Sequence, residues 1–82
     1  MEMWEMNRDL FAKYMRENGY TIKKLASEIG VNTSTLSLKI NGHREFTIKE
    51  VARICDILHI NKQVMWEIFF YPKIYVNAEM ED

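Results

Sequence analysis

Residues 21–42 read TIKKLASEIGVNTSTLSLKING. Ile22, Leu25, Ala26 and Ile29 recur at i, i+3, i+4 and i+7, the spacing of one helical face. Thr21 stands just before that face, where a hydroxyl can accept from the first unpaired backbone N–H groups. Gly30 follows its last apolar member, where a helix commonly ends in a left-handed residue. Val31 is apolar and suited to plug the turn into a core. Asn32 is then the expected N-cap of a second helix over residues 33–40, stopped by Asn41-Gly42.

Ala26 carries the next step. Two helices that cross steeply after a short turn need a small side chain where their backbones approach. A helix with a central alanine, a corner glycine, an apolar plug, a polar cap and a second helix form a helix-turn-helix pattern. The alternative on these residues is an ordinary αα-hairpin, which wants the same glycine and plug. The second helix separates the two. Its outward positions are Thr33, Ser34, Ser37 and Leu38, with Lys39 beside them, and Leu36 and Ile40 form its inward stripe. Thr and Ser are poor helix formers. Their short hydroxyl side chains suit a helix that enters a groove and bonds to base edges or phosphates.

The stretch LASEIGVNTSTLSLKINGHREF resembles the phage repressor and Cro-like helix-turn-helix family. Leu25-Ala26, Gly30-Val31, Asn32, Thr35-Leu36-Ser37 and Asn41-Gly42 carry the likeness. It continues through EVARICDILHI to Trp66 and Phe69-Phe70, and so covers residues 10–70. The ending looks most like the small Cro-like regulators of phages and prophages in Gram-positive bacteria. The resemblance implies an all-α, compact bundle of about five short helices, dimeric binding to a double-stranded DNA operator, and no catalysis. The chain departs from the pattern twice. Ile22 stands where the family often has a phosphate-binding Gln. Lys39-Ile40 stands where many members have an apolar residue followed by Glu, which shifts the inward stripe by one residue.

Eighty-two residues make one small domain, expected over residues 1–72 with a tail over 73–82. With 48% hydrophobic and 28% charged residues, the chain has the composition of a folded domain and not of a disordered one. A single cysteine, Cys55, excludes an internal disulfide, and its place in an apolar stripe suits a core thiol. No apolar run approaches the roughly 20 residues of a membrane span, and the start MEMWEM lacks the features of a signal peptide. The expectation is a cytoplasmic protein without membrane or small-molecule partners. The net charge of −1 does not advertise nucleic-acid binding. The distribution does: Lys13, Arg16, Lys23, Lys24, Lys39 and Arg44 face only Glu17 and Glu28 within residues 13–44, whereas the tail is acidic.

Outward from the motif, residues 1–18 read as a first helix. Leu10, Phe11, Tyr14 and Met15 form its inward face, Met3 and Met6 extend it, and Asn7 is its candidate cap. Trp4 fits either the core or a closure against the last helix. After Gly42, His43-Arg44-Glu45-Phe46 is a loop that Phe46 anchors. Thr47-Ile48-Lys49-Glu50 is a capping box, and Val51, Ile54, Cys55 and Leu58 give the fourth helix its apolar face. Asn61 caps a fifth helix over residues 62–70, with Val64, Met65, Ile68 and Phe69 inward. Pro72 ends it, 73–76 have strand-forming residue types, and 77–82 read as a disordered acidic end.

These readings lead to a sequence-specific DNA-binding regulator. Thr33, Ser34, Ser37 and Leu38 are the candidate base contacts. Thr21, Lys23, Asn32, Lys39, Asn41, His43 and Arg44 are the candidate backbone contacts. Trp66, Phe70, Tyr71 and Tyr75 are the candidate homodimer contacts, because a small bundle cannot cover two broad apolar faces of its last helix. The alternative is a protein–protein interaction module on the same fold without DNA binding. No spacing of Cys and His suits a metal, no cofactor motif is present, and no catalytic constellation appears.

Overall fold

A computed structural model describes residues 4–72, and its described portion is all-α apart from one short backbone pairing. The five helices are α1 (Arg8–Glu17), α2 (Ile22–Ile29), α3 (Thr33–Ile40), α4 (Ile48–Leu58) and α5 (Lys62–Phe69). Four start on a side chain that accepts a backbone N–H. Asn7 accepts from Leu10, Thr21 from Lys24, Thr47 from Glu50 and Asn61 from Val64, at 2.9–3.2 Å. At α4 the bond is reciprocal: the Glu50 carboxylate accepts the Thr47 N–H at 2.9 Å, completing the capping box. Asn32 has the extended backbone of a cap, but its side chain makes no cap hydrogen bond.

The first helix begins at Arg8 and not near the N-terminus. Trp4–Glu5 (β1) instead pairs antiparallel with Tyr71–Pro72 (β2), in register Trp4 to Pro72 and Glu5 to Tyr71. The Asn7 N–H continues the closure by donating to the Ile68 carbonyl at 2.7 Å. The expected helical extension loses at Trp4–Glu5 because a partner strand at the far end of the chain satisfies the backbone; Met3 lies outside the described residues. Residues 73–76 and the acidic end lie outside the described residues.

The core draws on every helix: Phe11 and Met15 of α1, Leu25 and Ala26 of α2, Leu36 of α3, Val51, Ile54 and Leu58 of α4, and Ile68 and Phe69 of α5. Burial of each large apolar side chain is worth about 1.5–3 kcal/mol. Phe69 stands edge-on to Phe11 (6.1 Å between centroids) and to Phe46 (5.2 Å). Phe46 thereby pins the loop that leaves α3, as expected. His59 ends α4 with φ 55°, a left-handed conformation rare in a side chain with a Cβ. Asn18 joins two helix ends by donating from Nδ2 to the carbonyls of Tyr14 (2.8 Å) and Leu58 (3.1 Å).

Candidate nucleic-acid interface

The α2–turn–α3 unit is built as its local sequence requires. Gly30 adopts φ 82° and ψ 28°, a conformation open to glycine at no steric cost. That lets the Val31 N–H reach back to the Ala26 carbonyl at 3.0 Å, which caps α2 and turns the chain. Ala26 is 1% exposed on a helix that packs against α3, so a larger side chain there would overfill the core.

On α3, Thr33, Ser34 and Leu38 are exposed and Ser37 is half-buried. Leu38 is one of three large apolar side chains exposed among the described residues, at 40% exposure. The inward side holds Leu36, fully buried, and Lys39 at 8% exposure, with Ile40 half-buried beside them. Leu36 and Ile40 both pack inward as expected, and Lys39 turns in beside them. Lys39, expected among the exposed backbone contacts, is instead buried and paired: its Nζ lies 2.6 and 2.7 Å from the two Glu50 carboxylate oxygens. The aliphatic stem of lysine tolerates burial once the ammonium is paired, and the capping box holds Glu50 where it can do so. Burial pushes the Glu50 carboxyl up, but the Lys39 hydrogen bond, the Thr47 backbone N–H, the Lys39 charge and the Thr47 hydroxyl outweigh it. The carboxyl is held below its ordinary value.

Around α3, Thr21, Lys23, Asn32, Asn41, His43 and Arg44 are all exposed. The His43 N–H bonds to the Leu38 carbonyl at 2.8 Å, which fixes the exit of the loop. Asn41 donates from Nδ2 to the Ser37 carbonyl (2.9 Å) and accepts from Arg8 Nη1 (2.8 Å). Arg8 was not among the expected residues. It opens α1, and its contact with Asn41 spans 33 residues of chain, so no local pattern in the sequence announces it. Elsewhere on the surface, Tyr20 donates to Glu28 at 2.9 Å and Lys24 lies 4.6 Å over the Tyr20 ring. Lys13 and Arg16 are exposed on α1.

Residues 11–63 match the Cro/C1-type HTH DNA-binding domain. This span takes in all of α2, the turn, α3 and α4. The chain belongs to the Cro/C1-type helix-turn-helix DNA-binding family. It is also 43% identical over 71 residues to a protein of Bacillus subtilis (strain 168) named as an uncharacterized HTH-type transcriptional regulator, YvzC. That similarity covers 87% of this chain and 88% of the relative. Arg8 falls outside the Cro/C1-type match while its partner Asn41 falls inside it. Among the described residues no group of three or more His, Cys, Asp and Glu is placed to hold a metal ion, and no helix is long and apolar enough to cross a membrane.

The aromatic end of the Cro/C1-type bundle lies on α5. Trp66 is 54% exposed, and its ring stands 4.7 Å from that of Phe70, tilted by 49°. Phe70 is half-buried, the Tyr71 backbone belongs to β2, and Tyr75 lies outside the described residues. At the start of α4, Ile48 is 85% exposed.

Proposed function

We propose that this chain is a sequence-specific transcriptional regulator of phage Cro or repressor type, of the kind phages and prophages carry. It acts on DNA in the cytoplasm and has no catalytic step, cofactor or small-molecule substrate. One observation carries the reading: α3 turns Thr33, Ser34 and Leu38 to solvent while Leu36 and Lys39 hold its other side to the bundle. A helix so mounted can enter a major groove. Thr33 and Ser34, nearest its start, bond to base edges first. Ser37 and Leu38, one turn on, meet the next pair, with Leu38 against a thymine methyl.

Thr21, at the N-terminus of α2, faces a phosphate with the positive end of its helix dipole behind it. The uncommitted Asn32 amide, Lys23, Asn41, His43 and Arg44 complete the backbone contacts, and Arg8 joins them through its position on Asn41. A homodimer formed through Trp66, Phe70, Tyr71 and Tyr75 matches an operator of two half-sites, with residues 1–72 as the binding domain and 73–82 as its tail. Bound there, it blocks polymerase or a competing regulator by occupancy.

Selection from a random-sequence duplex pool at two salt concentrations, followed by sequencing, tests this. Enrichment of a short inverted repeat supports a dimeric reader and supplies the half-site spacing. Salt-sensitive binding without enrichment reduces the claim to a generic basic surface. No binding at low salt removes it in favour of a protein–protein module, which the exposed Ile48 and Trp66 would then serve.

A further inference from the structure

Leu36 is the one fully buried apolar side chain of α3, and Ile40 packs half-buried against the core one turn on. Beside Ile40 stands Lys39, more deeply buried than it, at 8% exposure. Backbone packing seats α3 on α2, and a polar link ties it to α4: Lys39 Nζ contacts both Glu50 oxygens at 2.6 and 2.7 Å. Glu50 is itself held. Its Oε1 accepts the Thr47 N–H and its own N–H donates to the Thr47 hydroxyl, so the acceptor is built into the first turn of α4. An apolar pair of similar volume would serve stability as well or better, because a buried ion pair loses much of its attraction to desolvation. What the pair adds is direction: an acceptor fixed in the capping box of α4 requires the Lys39 side of α3 to face it, a demand that apolar contact alone does not make.

We infer that Lys39 and Glu50 are positioning residues that fix the roll of α3 about its axis, and so decide which of its outward side chains meet base edges. The inference rests on the DNA-reading function proposed above. Neither residue touches DNA in the proposed complex.

The test uses Lys39→Met, Glu50→Gln and the double variant of the full chain. Glutamine retains the capping-box acceptor, so Glu50→Gln removes the ion pair without removing the cap. The first arm contains no DNA. Amide hydrogen exchange in Lys39→Met should speed about tenfold over residues 36–40 while α1 and α4 keep their protection. Unchanged protection in α3 overturns the tether. The second arm compares the duplex most enriched by the wild-type protein with a scrambled duplex of the same composition. Lys39→Met should bind the enriched duplex at least tenfold more weakly, bind the scrambled one unchanged, and keep the wild-type salt slope. Equal losses on both duplexes with the slope lowered by about one identify Lys39 as a phosphate contact and overturn the inference. The double variant should regain the melting temperature that Glu50→Gln loses through its unpaired lysine, yet not regain selectivity. Recovery of both marks the pair as merely structural. If the wild-type protein enriches no sequence, the DNA-reading proposal fails on its own, and the exchange arm still decides whether the pair holds α3.

Discussion

Arg8 and Asn41 meet at 2.8 Å, so the first residue of α1 is tied to the residue that ends α3. The bond places a guanidinium at the rim of the proposed DNA surface and leaves other N–H groups of that fork unused by Asn41. Arg8→Ala should weaken binding on every duplex alike and lower the slope of log affinity against log salt by about one. Titrations at several salt concentrations on two unrelated duplexes check this. A loss confined to one sequence would place Arg8 among the base readers.

Changes at Ser34 and Leu38 should behave otherwise. Ser34→Ala or Leu38→Ala is expected to cost about 1–3 kcal/mol at particular base pairs and little on a scrambled duplex. Repeating the random-pool selection with each variant reads this out as a shifted preference at one or two positions.

Asn18 carries a purely structural prediction. Its Nδ2 serves two carbonyls, those of Tyr14 and of Leu58, the last residue of α4. Asn18→Ala leaves both helix-end acceptors without this donor and should cost about 1–3 kcal/mol in urea unfolding. Asn18→Asp should cost at least as much, because an ionised carboxylate facing two carbonyl oxygens only repels. DNA binding by the folded fraction of either variant should be unchanged.

Acid should act through Glu50. Its carboxyl is held below the ordinary value of 4.5, so its contribution to stability is present above that value and is lost as pH falls through the depressed one. Urea midpoints measured from pH 7 to pH 3 should therefore fall less steeply for Glu50→Gln than for the wild-type protein. The variant begins from a lower midpoint at pH 7.

Cys55 should be slow to react. Burial first, and the neighbouring Asp56 charge second, push its thiol from 9.0 up to about 11. The thiolate is the nucleophile, so alkylation by iodoacetamide at pH 8 should run about 100-fold slower than for an exposed cysteine. In urea the rate should return to the ordinary one.

The helices and their limits were legible because the signals that start and stop a helix are local. Asn7, Thr21, Thr47 and Asn61 each bond to an N–H three residues on, and Gly30 and Gly42 end α2 and α3 within one turn. The same locality made the outward set of α3 readable, since Thr33, Ser34 and Leu38 share a face by spacing alone. What depended on tertiary contact went unread. Lys39 turns inward because Glu50, eleven residues away, waits in the capping box of the next helix. Arg8 reaches the proposed DNA surface because the fold brings the start of α1 to the residue that ends α3. Trp4–Glu5 leaves the helix because Tyr71–Pro72 arrives from the other end of the chain. A lysine, an arginine or a short N-terminal segment has several acceptable environments. Backbone propensity and periodicity do not choose among them, and a partner distant in sequence does.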